Sequence, residues 1–72
     1  MKEQLSVQIS LNGLPTEIHG RESLTSLLTR LELQQRPVAV EVNGELIPRE
    51  HHAEHRLIAG DAVEIVTLVG GG

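Results

Sequence analysis

The chain has 72 residues, a formal net charge of −4, and 39% hydrophobic against 22% charged side chains. That length holds one domain, near the size at which a single core only just offsets the entropy of ordering the chain, and it excludes a separate catalytic domain. There is no Phe, Tyr or Trp, and the six Lys and Arg are scattered, so neither a base-stacking platform nor a basic stripe for phosphates is present and the expected partners include neither nucleic acid nor membrane. A mildly acidic surface suits docking to a basic patch on another protein. No cysteine occurs, which removes disulfides, thiolate metal sites and thiol nucleophiles. Polar residues interrupt the opening stretch MKEQLSVQIS; it has no signal-peptide core and no span, and the expected location is cytoplasmic.

In chain order, Leu5, Val7, Ile9 and Leu11 alternate with Ser6, Gln8 and Ser10, the period of a strand with one buried face. Asn12-Gly13 predicts a tight hairpin into a second strand around Thr16 to Ile18, with Pro15 marking it as an edge. Leu24, Leu27, Leu28 and Leu31 then fall at i, i+3, i+4 and i+7, a leucine stripe on one face of a helix that should pack into the core. Ser23 is placed to cap it, Glu22 puts an acid at its N-terminal end, and Pro37 predicts that it ends near Leu33. Val38, Val40 and Val42 alternate again, and Asn43-Gly44 predicts a second hairpin into Glu45, Leu46 and Ile47, closed by Pro48. Arg49 to Ile58 is polar and rich in histidine, long enough for one helical turn and a loop. Ala59 to Ala62 reads as a turn, and Ala62 to Leu68 as the last strand, apolar on both faces and therefore central, with the first strand as its parallel neighbour.

Strand, strand, helix, strand, strand, strand predicts an α+β domain over residues 1–68, in which one main helix lies across a mixed sheet of about five strands. This is the β-grasp plan seen in ubiquitin.

Two constellations could carry chemistry. His51-His52-Ala53-Glu54-His55 fits the H-x-x-E-H pattern of one group of zinc peptidases, and on a helix His51 and His55 would share a face. A catalytic zinc also needs a third ligand in a walled cleft, for which the chain has no room, so the segment is expected to be a solvated face without a metal. His19 is expected to be ordinary surface. The second constellation is the ending Val69-Gly70-Gly71-Gly72. Glycines cost entropy when ordered and pack nothing, and three of them make a side-chain-free thread reaching roughly 10 Å. Such a thread fits a channel too narrow for any Cβ. The group it delivers is the carboxylate of Gly72, a poor electrophile until activated. Transfer to the α-phosphate of ATP would give an acyl adenylate, from which an amine forms an isopeptide bond and a sulfur donor a thiocarboxylate.

The stretches VAVEVNGELIPR (Val38 to Arg49) and AGDAVEIV (Ala59 to Val66), together with the terminal VGGG, resemble the ThiS family, the sulfur carriers of thiamine thiazole biosynthesis. The likeness runs from Leu5 onward. It implies a β-grasp carrier that is a substrate and not an enzyme. Gly72 would be adenylated by a ThiF-like or MoeB-like adenylyltransferase using ATP and magnesium, then converted to a thiocarboxylate with sulfur from a cysteine desulfurase. Thiazole synthase, ThiG, would take that sulfur. Gly71, Gly70 and Val69 would thread the partner active sites, no cofactor would stay bound, and no protease would be needed to expose Gly72. Thr67 and Leu68 stand where family members often carry an aromatic or a basic residue. The alternatives are a carrier like the small subunit of molybdopterin synthase and a ubiquitin-like protein modifier.

Overall fold

The computed structural model describes residues 5–68. Five strands form one sheet: β1 (Ser6–Leu11), β2 (Leu14–His19), β3 (Val38–Val42), β4 (Glu45–Leu46) and β5 (Ala62–Thr67). Their spatial order is β2-β1-β5-β3-β4. β1 and β5 run parallel, and the remaining pairs are antiparallel. The last strand is therefore central with the first beside it, as the sequence predicts, and β2 with its Pro15 is an edge.

Both Asn-Gly pairs turn with positive φ at each residue, 51° and 84° at Asn12-Gly13 and 53° and 84° at Asn43-Gly44. These are the left-handed conformations of a two-residue hairpin, whose twist matches that of the strands. The asparagine side chains then grip β5. Asn12 accepts from the Ile65 N–H at 2.8 Å and donates to the Ile65 carbonyl at 3.3 Å. Asn43 accepts from the Ala62 N–H at 2.9 Å and donates to Asp61 at 3.0 Å.

The helix α1 spans Leu24–Arg30. It starts where expected, with the Ser23 hydroxyl accepting from the Ser26 N–H at 3.0 Å. It stops earlier than Pro37 alone suggests. Glu32 takes a left-handed φ of 61°, and the Glu32 and Leu33 N–H groups return to the Thr29 and Leu28 carbonyls at 3.0 and 2.8 Å. That pairing is a Schellman motif with glutamate where glycine is usual. Leu31, now beyond the helix, turns partly to solvent, so only Leu24, Leu27 and Leu28 of the stripe are buried.

The core lies between α1 and one face of the sheet: Ile9, Ile18, Val40, Val42, Val63 and Ile65 meet the three helix leucines and Leu57. Leu57 is fully buried although it sits in the polar stretch. The Leu57 N–H donates to the Glu22 carbonyl at 2.8 Å and the Leu24 N–H to the His55 carbonyl at 3.0 Å, which lays residues 55–57 along the entry to α1. β5 is not apolar on two buried faces: Val63 and Ile65 point into the core, while Val66 is 57% exposed. One helix covers one face only.

Candidate functional site: the root of the glycine tail

Val69, Gly70, Gly71 and Gly72 lie outside the described residues; their root is described. β5 ends at Thr67, and the Leu68 N–H donates to the Pro37 carbonyl at 2.8 Å. That bond keeps Leu68 aligned with the beginning of β3, so the chain leaves the sheet from its central strand.

The surface beside this exit is the face of the sheet that α1 does not cover. Ala39 stands opposite Val66, Glu41 opposite Glu64, and Leu46 on the far side of Glu41. These residues therefore share one face, since side chains directly opposite one another across a ladder point the same way. Val66 and Leu68, 57% and 51% exposed, form an apolar strip with Ala39 beside it at the root of the tail, and Leu46, 60% exposed, lies across Glu41 from it. The carboxylates of Glu41 and Glu64 border the strip. Two like charges directly opposite cost stability in a sheet, and neither is ion-paired among the described residues. An apolar strip flanked by two carboxylates that have no ion partner among the described residues is suited to a partner surface with an apolar area beside a basic one.

The sequence reading missed this face. The signal was there: β5 carries Val66 and Leu68 where alternation calls for polar residues, and the leucine stripe predicts one helix, which can cover one face of the sheet.

The histidine segment has a different fate from a zinc helix. Arg49–His51 is a single 3-10 turn. His51 Nδ1 pairs with Glu54 at 2.8 Å on the surface, and His55 is half-buried. His52, expected to be solvated, is instead buried, with Nε2 donating to the Ile47 carbonyl at 2.9 Å. Among the described residues no three of His, Cys, Asp and Glu are placed to hold a metal ion. His19 ends β2 exposed, as expected. No described helix is long and apolar enough to cross a membrane.

Glu22 and Asp61 are the buried acids among the described residues, and Glu22 is the one with an arginine partner. Burial pushes its carboxyl up, but the Arg30 guanidinium, the His19 N–H and the Ser26 hydroxyl together outweigh that effect and hold it below its ordinary value. Arg30 reaches it with two nitrogens, both at 3.0 Å. This arrangement fixes the strand-to-helix corner and is remote from the tail in the chain.

A mixed five-stranded sheet gripping one helix, with its last strand central and ending at an exposed apolar face, defines a ubiquitin-like β-grasp protein. The ThiS family model matches residues 9–72. The crystal structure of thiamine biosynthesis protein ThiS from Geobacter metallireducens superimposes with a TM-score of 0.76 at 38% identity, covering 92% of this chain and all of that one. The sulfur carrier protein ThiS of Bacillus subtilis (strain 168) is 40% identical over 50 residues, 69% of this chain and 76% of that protein. A thiazole synthase of Paramagnetospirillum magneticum is 33% identical over 66 residues, 92% of this chain, which spans only 20% of that longer protein. The chain belongs to the ThiS family, small sulfur carrier proteins of thiamine biosynthesis that are not catalysts.

Proposed function

We propose that this protein carries sulfur as a thiocarboxylate on Gly72 and donates it for the thiazole ring of thiamine. The Gly72 carboxylate attacks the α-phosphorus of ATP in a ThiF-like or MoeB-like adenylyltransferase, pyrophosphate leaves, and an acyl adenylate forms. A sulfur nucleophile then attacks the acyl carbonyl and AMP leaves. Hydrosulfide gives the thiocarboxylate directly; a persulfide from a cysteine desulfurase gives an acyl disulfide that a thiol reduces. Magnesium and ATP belong to the activating enzyme. The carrier supplies the carboxylate, a tail of Val69, Gly70 and Gly71 narrow enough to enter both active sites, and the open sheet face that the enzymes grip.

The observation that carries this reading is that the family match runs through Gly72, just beyond a root held at the central strand beside an exposed apolar face. The thiazole synthase that contains a segment similar to this chain supports a thiazole synthase as the acceptor. The test is the intact mass of the protein after incubation with ATP, magnesium, a ThiF-like enzyme and sulfide. The expected result is a gain equal to one sulfur replacing one oxygen, lost when Gly72 is deleted. No gain with an enzyme active on another carrier, or reductant-resistant conjugates to target lysines instead, would overturn it.

A further inference from the structure

A cavity of about 150 Å³ lies between α1, where Thr25 and Leu28 line it, the loop after the helix, the start of β3 and the 3-10 turn with the following His52. At about 30 Å³ per water it has room for about five waters, well short of the roughly 300–1,000 Å³ that holds a drug-sized ligand. It suits a group of a few heavy atoms.

Its lining is chemically divided. Leu28, Leu33 and Val38 supply an apolar floor and Arg36 and Arg49 supply guanidinium donors, with no Asp or Glu among the lining residues. On a chain of net charge −4 this is a local reversal of sign. Arg49 spends one donor on the Gln34 carbonyl at 3.3 Å, and neither Arg36 nor Arg49 is ion-paired among the described residues. His52 is only 5% exposed. The Ile47 carbonyl can only accept, so Nε2 carries the proton of that bond, and Nδ1 has no hydrogen-bond partner among the described residues. The donors that face this cavity are therefore those of the two guanidinium groups, which have no carboxylate partner among the described residues and mark a position for an anionic acceptor.

We propose that this cavity binds a carboxylate on a short aliphatic stem. The guanidinium groups take the carboxylate oxygens, as their forked donors do, and the stem rests on Leu28, Leu33 and Val38. The apolar floor favours such a group over inorganic phosphate. The carboxylate comes either from a free small acid or from an acidic side chain of a partner protein. The cavity lies near the tail root, because Arg36 precedes Pro37, whose carbonyl holds Leu68.

The test is an NMR titration of the full chain, isotopically labelled, with sodium butyrate, against sodium chloride and butyramide at matched ionic strength. Saturable shifts at Leu33, Gln34, Val38 and the His52 ring nitrogens are expected for butyrate alone. Arg36→Gln combined with Arg49→Gln should weaken that binding about tenfold or more, as the loss of charge-assisted hydrogen bonds requires, while amide dispersion shows the fold intact. Shifts that fail to saturate, that match chloride or butyramide, or that persist in the double variant would overturn the proposal. A second arm assigns the source. If butyrate competes with pyrophosphate release by the adenylyltransferase and the double variant raises the KM of that step, the carboxylate is an enzyme side chain; butyrate binding with pyrophosphate release unchanged assigns a free acid. The titration does not depend on the carrier reading, so either can fail without the other.

Discussion

Glu22 shows how one residue can be read in part and misjudged in importance. An acid before a helix is legible in the sequence, but its fourfold satisfaction by His19, Ser26 and two nitrogens of Arg30 depends on the corner between β2 and α1. Glu22→Ala should cost about 1–3 kcal/mol, chiefly from the polar groups left without a partner, measured by urea unfolding. Because the folded carboxyl is held below its ordinary value, the stability it contributes is present above the unfolded-state pKa. That contribution is lost as pH falls through the lower folded-state pKa. Unfolding midpoints followed into the acid range should therefore fall more steeply for the wild type than for Glu22→Gln. Leu57 is the opposite case, a residue missed altogether. It sits among histidines, acids and arginines with no periodicity to betray it, yet it is fully buried. Leu57→Ala should cost about 2–5 kcal/mol, a large fraction of the roughly 5–15 kcal/mol that stabilises a domain, and heat denaturation would show it as a loss of many degrees.

At the level of elements, the hairpins were the most legible part of the molecule, because Asn-Gly specifies its turn through local sterics and needs no tertiary contact. The helix start was equally plain at Ser23. Its end was not, since a glutamate in the left-handed position gives no composition signal; Glu32 holds φ at 61° because Leu33 is drawn back onto the core. Glu32→Gly should relieve that strain and, after the added entropy of the unfolded glycine, stabilise by about 0.5–1 kcal/mol. The melting temperature should rise by roughly 2–8 °C, and a fall would mean that the Glu32 side chain stabilises the fold in a way its backbone does not explain. In β5 the apolar run and its central place were legible, but not that one of its two apolar faces is left exposed. Counting the covering elements, one helix for one sheet, is what resolves them.

For the whole molecule, the open face and the tail root form one surface, and its test is that folding and docking respond in opposite directions. Replacing both Glu41 and Glu64 by Gln removes a like-charge pair and should stabilise the fold by about 0.2–1 kcal/mol. The same change should slow association with the adenylyltransferase several-fold and flatten its dependence on salt, since rim charges act chiefly on encounter. Stability by denaturant and adenylation rates at two ionic strengths would check both arms; an unchanged salt dependence would remove this face from the docking surface. Val66→Ser, on an exposed site, should leave stability within about 0.5 kcal/mol while raising the KM for the carrier. The sequence alone determined the number and type of elements, the two hairpins, the central place of β5 and the family, because these follow from local periodicity, turn sterics and a terminal motif. Only the tertiary structure decided which face of β5 is bare, why Leu57 and His52 are buried, and how Arg36, Arg49 and His52 come to line one cavity. Those facts depend on what lies against each residue from distant parts of the chain, and no local pattern records it.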